Sequence, residues 1–142
     1  MRSVKVLKNS KITADTNVLI SSLICVSAVA VKVIDLAEEG LCEIAVSEDI
    51  IKEFNRVAVI KFGWNKEKTS LAEGVLRRLC KVVSPAIKVK AVKQDPDDDK
   101  IIECAIEAGS HYIVTGDKHL LDLGGYKTIK ILTLADFIKL MI

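Results

Sequence analysis

Short apolar segments with the character of β-strands alternate with longer segments of helical periodicity along most of the sequence. The strand-like segments cover residues 11–14, 42–46, 112–115 and 129–132. Strands that alternate with helices are joined by right-handed crossovers and lie parallel in one sheet. The sequence therefore predicts an α/β fold built on a mainly parallel sheet, in which ligand sites gather beyond the carboxyl ends of the strands.

The helical segments cover residues 17–24, 29–39, 48–60, 65–82, 95–109 and 134–142. Gly40 and Gly63 follow two of them, at the position where glycine commonly ends a helix. Residues 87–92 alternate only weakly and fit either a strand or an extended connection. Because no repeat or linker divides the chain, we expect a single domain spanning residues 1–142.

The composition is that of a globular domain with an aliphatic interior. Half of the 142 residues are hydrophobic and 28% are charged, which excludes a disordered chain. Aromatic residues make up only 4%, so a surface of stacked nucleic-acid bases is not expected. The net charge of +2 is too small to indicate a nucleic-acid partner by itself.

The cysteines and the apolar segments indicate a cytoplasmic protein. No Cys-x-x-Cys pair occurs, so we expect four reduced, mostly buried thiols in a reducing compartment. Residues 1–8 do not resemble a signal peptide, and the longest apolar run, residues 25–31, is too short to span a bilayer. The four cysteines are Cys25, Cys42, Cys80 and Cys104.

Two aspartates directly follow predicted strands. Asp15 comes after residues 11–14, and Asp117 comes after residues 112–115 and a glycine. A single acid at such a position is more often a helix cap or a turn former. Two acids after separate parallel strands lie at the same edge of the sheet, and this favours a shared site.

A third group of acids opens the helix over residues 95–109. Asp95 precedes Pro96, an arrangement typical of an N-cap followed by proline at the first helical position. At about 100° per residue, Asp98 lies at the centre of the apolar stripe of this helix, whereas Asp97 and Asp99 lie about 100° to either side. An inward carboxylate needs a cationic partner, while dipole compensation at the helix start accounts for Asp97 and Asp99.

The sequence positions of Glu53 and the two histidines say less about the roles of these residues. Glu53 lies on the flank of the apolar stripe of the helix over residues 48–60 and fits either a site residue or a solvated glutamate. His111 begins a strand and His119 falls in a predicted polar turn, so we expect both to be surface residues. Converging carboxylates with no histidine base indicate a divalent-metal site, because Mg²⁺ takes oxygen ligands.

Four segments together resemble the PIN-domain family. Residues 14–20 (Ala-Asp-Thr-Asn-Val-Leu-Ile) resemble its opening motif, and residues 46–53 resemble its second acidic segment. Residues 95–105 and 113–121 resemble the third and the fourth. The order and spacing agree over nearly the whole chain, and the pattern is most similar to the VapC-like toxin components of prokaryotic toxin–antitoxin pairs.

The resemblance implies a three-layer α/β/α fold with a twisted, mainly parallel sheet, and cleavage of single-stranded RNA with Mg²⁺ or Mn²⁺. By motif position the catalytic and metal-binding quartet is Asp15, Glu53, Asp98 and Asp117. Asn17 would orient Asp15, and Thr115 would hold Asp117 or a metal-bound water.

The sequence departs from the family pattern in three respects. The segment after the opening motif is compact, Asp99 stands where asparagine is common, and His119 stands where an acid is common. Asp97 or Asp99 could therefore exchange roles with Asp98. The site could hold either one or two metal ions. No quartet member is missing.

The expected partners are RNA, a cognate antitoxin and a second copy of the chain, with no membrane. The homodimer is expected because the helices over residues 29–39 and 50–60 carry apolar positions beyond what one sheet face covers. The alternative function is a non-catalytic PIN scaffold that binds RNA or a protein. A nucleotide-binding or phosphatase domain on a related sheet is a second alternative, although no glycine-rich phosphate loop occurs.

Overall fold

The computed structural model describes residues 10–92 and 98–141. Six strands and seven helices follow one another in these ranges. The strands are β1 (Ser10–Ala14), β2 (Cys42–Ser47), β3 (Cys80–Val83), β4 (Tyr112–Val114), β5 (Gly125–Tyr126) and β6 (Ile129–Leu132). The helices are α1 (Thr16–Leu23), α2 (Ala28–Glu38), α3 (Glu48–Phe62), α4 (Lys66–Leu79), α5 (Asp99–Ala108), α6 (Lys118–Leu123) and α7 (Leu134–Met141).

The strands form one sheet in the order β3-β2-β1-β4-β6-β5. Every pairing is parallel except that of the short strand β5 with β6. From β1 the chain first builds the sheet outward through β2 and β3, and it then returns to place β4 on the other side of β1. This change of direction makes the carboxyl ends of β1 and β4 a topological switch point, the usual ligand position in such sheets.

Helices cover both faces of the sheet, as three consecutive residues of β1 illustrate. Ile12, Thr13 and Ala14 are all 0% exposed although alternate side chains of a strand point to opposite faces. The Thr13 hydroxyl contacts Cys104 of α5 and Ser110, so Ile12 and Ala14 face the opposite layer. The predicted α/β fold with a three-layer arrangement and a mainly parallel sheet is therefore confirmed.

The predicted helix over residues 65–82 is wrong in its last turn. Helix α4 ends at Leu79, and Cys80 already has the extended dihedral angles φ −112° and ψ 152°. Residues 80–83 instead form the edge strand β3, paired with β2. Apolar residues at 76, 79, 80 and 83 follow a helical period, so the spacing favours a longer helix, and only pairing with the neighbouring strand makes residues 80–83 a strand.

Residues 86–92 form an extended connection and not a strand, and carboxylates of α5 hold this connection. Asp99 accepts hydrogen bonds of 2.9 Å from the amides of Ala91 and Val92. Glu103 accepts one from Val89, and Glu107 accepts one from Ala86. The three acids are spaced four residues apart, so they form one row along the helix.

Helices α1 and α2 are apolar and pack against each other. Ser22 of α1 is buried and donates its hydroxyl proton to Val18 O at 2.8 Å. Ser27 caps the start of α2 by accepting from the Ala30 amide. No single helix within the described ranges is long and apolar enough to cross a membrane; α1 and α2 reach the length only as a pair, and they are bent by 95°.

Candidate active site

Asp15 and Asp117 both lie at the switch point of the sheet. Asp15 follows β1 and Asp117 follows β4, and these strands pair in parallel with Ala14 opposite Val114. Each aspartate also has a structural role, because each is the N-cap of the next helix. Asp15 accepts from the Thr16 amide, and Asp117 accepts from the Leu120 amide at 3.1 Å.

Thr115 links these two aspartates and is itself completely buried. Its hydroxyl donates to Asp15 Oδ2 at 2.6 Å and accepts from the Asp117 amide at 2.9 Å. The backbone of Asp15 adds a third connection, since its amide donates to Val114 O. A single hydroxyl thereby fixes the side chain of one acid relative to the main chain of the other.

Asp98 and His119 complete a compact group with Asp117. Potential ligand atoms of the three side chains all lie within 4.8 Å of one another, and all three residues are half-buried. Asp98 precedes the first residue of α5 but makes no side-chain cap hydrogen bond to that helix. Its carboxyl group is instead hydrogen-bonded to Asp117.

The electrostatic surroundings favour a charged Asp117. Burial acts to raise the pKa of its carboxyl group, but several contacts act in the opposite direction and prevail. The hydrogen bond with Asp98, the Leu120 amide and the ring of His119 together hold the pKa of Asp117 below its usual range. Two carboxyl groups in direct contact, one of them held ionised, form a place that attracts a proton or a cation.

Asp99 is more enclosed than its predicted position on the flank of the helix indicates. Its side chain is only 7% exposed and holds the amides of Ala91 and Val92. The physical reason is that the segment over residues 86–92 covers this side of α5, which the periodicity of the helix alone does not reveal. Asp95 and Asp97, and with them the predicted helix start at 95, lie outside the described residues.

Helix α3 brings two acids to the same cleft. Glu53 lines it together with Asp49, one helical turn earlier. The Glu53 carboxylate is held by Arg56, whose guanidinium donates at 2.8–3.1 Å. Glu53 thus faces the cleft but lies outside the group formed by Asp98, Asp117 and His119.

The cleft has a volume of about 600 Å³. Its walls come from α1, α3, the start of α5 and Asp117. Lys61 and Lys100 contribute positive charge, and an exposed phenyl ring, Phe62, also lines it. Asn17 lies in the lining as well, with its Oδ1 3.5 Å from the Gly116 amide.

Sequence reasoning missed His119, a member of the acidic group, and Asp49, which lines the same cleft. His119 is not in a polar turn, because Asp117 caps α6 and the histidine falls in the first turn of that helix. The departure from the family pattern at this position was the signal that could have found it. Asp49 stands four residues before Glu53 on the same helix face, so the one-turn spacing was available in the sequence.

Comparison with known proteins identifies the family. The sequence pattern of the PIN domain matches residues 11–119. No curated protein matches the chain at a significant level. In fold, the chain is similar to a chain in the crystal structure of VapBC2 from Rickettsia felis bound to a DNA fragment from its promoter. The TM-score is 0.62 and the sequence identity is 11%, and the similarity covers 87% of this chain and 98% of the Rickettsia felis chain.

The matched range contains all four predicted quartet positions and both predicted supporting residues, together with His119. The similarity to the Rickettsia felis chain, at 11% identity, shows a shared fold and does not by itself show a shared function. The chain belongs to the PIN-domain family, a family of nucleases.

Proposed function

We propose that this protein is a metal-dependent endoribonuclease that hydrolyses phosphodiester bonds of single-stranded RNA. The observation that carries the proposal is the group of Asp98, Asp117 and His119 within 4.8 Å, with Asp15 tied to it through Thr115. These side chains come from three separate elements and meet at the switch point, where a fold of this class binds its ligand.

The donor set fits Mg²⁺ or Mn²⁺. Both ions take carboxylate oxygens, and Mn²⁺ also accepts an imidazole nitrogen such as that of His119. The contact between the Asp98 and Asp117 carboxyl groups supports this fit, because oxygens of both groups could bind one cation. A metal held there would supply activation of a water molecule and stabilisation of the leaving oxygen of the phosphodiester.

The residues of the chain would share the remaining tasks. Asp15, Asp98 and Asp117 would hold the metal, and Thr115 would fix the carboxylate of Asp15 through its 2.6 Å hydrogen bond. Glu53 would join them from α3, after exchanging part of its contact with Arg56. That contact is solvent-exposed and therefore weak, so little free energy is needed to loosen it.

The biological setting that we propose is a cytoplasmic toxin–antitoxin pair, with this chain as the toxin. The similarity in fold to a chain of the VapBC2 complex supports this proposal. A cognate antitoxin and a second copy of the chain are the proposed protein partners. Exposed apolar side chains at the end of α3, Val59 and Ile60, support the proposed homodimer, because such patches commonly mark interfaces.

The test is cleavage of a generic single-stranded RNA in Mn²⁺ and in chelator. Wild type should cleave only with the metal, Asp15→Asn should be inactive, and Asp35→Asn, which changes an exposed acid of α2, should be as active as wild type. Growth arrest on expression of wild type but not of Asp15→Asn would support the toxin. If wild type binds RNA and never cuts it, the chain is an RNA-binding scaffold and the nuclease proposal is wrong.

A further inference from the structure

The cleft extends well beyond its acidic end. Asp49, Glu53, Val57 and Lys61 line it at intervals of four residues along α3, so they share one face of that helix. At 1.5 Å per residue, Lys61 lies about 18 Å from Asp49 along the helix axis. The cleft is therefore a groove that begins at the carboxylates and ends at Lys61 and Phe62, which we call the distal end.

Phe62 is the unusual residue at the distal end. The chain has only three phenylalanines, and the other two, Phe54 and Phe137, are completely buried. Phe62 is 42% exposed although it lines the groove. An aromatic ring left half in solvent offers a flat apolar surface that the core does not use.

Lys61 places a positive charge beside that ring. It is exposed, and within residues 10–92 and 98–141 no ion pair involves it. An aromatic ring next to an available cation is the combination that binds single-stranded nucleic acid, since the ring stacks on a base and the cation attracts a phosphate.

We propose that Phe62 and Lys61 form a nucleotide subsite of this enzyme, in which the ring stacks on one base and the ammonium contacts the adjoining phosphate. The inference rests on the proposed nuclease function and adds residues that position the RNA. The charges fit one extended strand along the groove, with the cleaved phosphate at the carboxylates and a second phosphate at Lys61. Apolar Val57 lies between the two ends.

The length of the groove limits the register of the RNA. At the duplex spacing of 3.4 Å per nucleotide, about 18 Å holds roughly five nucleotides, and an extended strand needs fewer. A dinucleotide bound at the carboxylates would not reach Phe62, whereas an octanucleotide would. The effect of Phe62 should therefore depend on the length of the RNA.

The experiment measures binding of fluorescent oligouridylates of two to eight nucleotides in Ca²⁺, with gels to show that the RNA stays intact. Phe62→Leu should weaken binding of the octanucleotide about 5- to 100-fold and leave the dinucleotide unchanged. Phe62→Tyr keeps the ring and should bind as wild type does. Trp64→Leu removes an aromatic ring that does not line the groove and is the matched control. Lys61→Gln should lower the slope of log affinity against log salt by about one.

Equal binding of the octanucleotide by wild type and Phe62→Leu would overturn the subsite, and so would the absence of binding at every length. A change in sedimentation of Phe62→Leu without a change in RNA binding would also overturn it, because the ring would then belong to a protein interface. Binding that depends on Phe62, with no cleavage in Mn²⁺, would support the subsite while contradicting the nuclease proposal. Cleavage by wild type, together with equal binding of the octanucleotide by wild type and Phe62→Leu, would support the nuclease proposal and contradict the subsite.

Discussion

The hydroxyl of Thr115 donates a 2.6 Å hydrogen bond to Asp15, a residue 100 positions earlier in the chain. The same oxygen accepts from the amide of Asp117, and it is completely buried. The two acids at the switch point are thus positioned by one side chain between them. Outer hydrogen bonds of this kind orient metal-binding groups and raise metal affinity.

Thr115→Val retains the shape of the side chain and removes its hydroxyl. Asp15 Oδ2 then loses a donor and the Asp117 amide loses its acceptor, so we expect a stability loss of about 2 kcal/mol and Mn²⁺ affinity lower by roughly 10- to 100-fold. Urea unfolding and calorimetric titration measure the two effects. Thr115→Ser keeps the hydroxyl and should lose little stability and little Mn²⁺ affinity. Equal metal affinity in Thr115→Val and wild type would contradict the positioning role.

Divalent metal should stabilise the folded protein. The carboxyl groups of Asp98 and Asp117 are in contact, so one cation could bind both of them, and a cation that binds only the folded state shifts unfolding by mass action. We expect the thermal midpoint to rise by several degrees between chelator and millimolar Mn²⁺. A midpoint that does not move over this range would count against the metal site.

Asp98→Asn removes one carboxyl group from the acidic group and keeps the size of the side chain. The substitution should reduce Mn²⁺ binding and RNA cleavage together, because one negative ligand is lost. In chelator the variant should be at least as stable as wild type, since the asparagine amide can donate to Asp117 in place of the hydrogen bond that the Asp98 carboxyl group makes. Asp122→Asn, on the exposed side of α6, is the control for a general charge effect. Wild-type cleavage by Asp98→Asn would refute its assignment.

Asp99 should contribute to the stability of the fold, although the sequence predicts only a position on the flank of the helix for it. Asp99→Ala leaves the amides of Ala91 and Val92 without their acceptor, and each costs about 1–3 kcal/mol if it stays buried. Urea unfolding should show this loss, whereas Asp99→Asn keeps an acceptor oxygen and should lose less. Identical unfolding of Asp99→Ala and wild type would show that other groups satisfy the two amides.

Only one thiol should react in the folded protein. Cys25 is exposed, whereas the other three cysteines are buried. Burial raises the pKa of Cys42 to about 11 and that of Cys80 and Cys104 to about 12, so these groups stay as unreactive thiols at pH 8. A colorimetric thiol assay should count one group in buffer and four in denaturant. Replacing Cys25 by serine should abolish the first signal; any remaining fast reaction would contradict the burial.

Local sequence was sufficient to predict much of the fold. Strand β6 begins and ends where the apolar pattern predicts, and α3 begins at residue 48 as predicted, with Ser47 as its N-cap. These features follow from side-chain periodicity and from hydrogen bonds within one helical turn. Edge strand β3 was missed because its apolar spacing also fits a helix, and only pairing with β2 distinguishes the two.

The site divides in the same way between local and long-range causes. The sequence by itself determined that Asp15 and Asp117 follow strands of one parallel sheet, because strand direction fixes the edge at which they emerge. Only the tertiary structure decided that Asp99 serves the segment over residues 86–92 and that His119 joins Asp98 and Asp117. Those contacts depend on how separate elements pack and on which rotamers fit between them, and neither is encoded in the spacing of residues along one helix or strand.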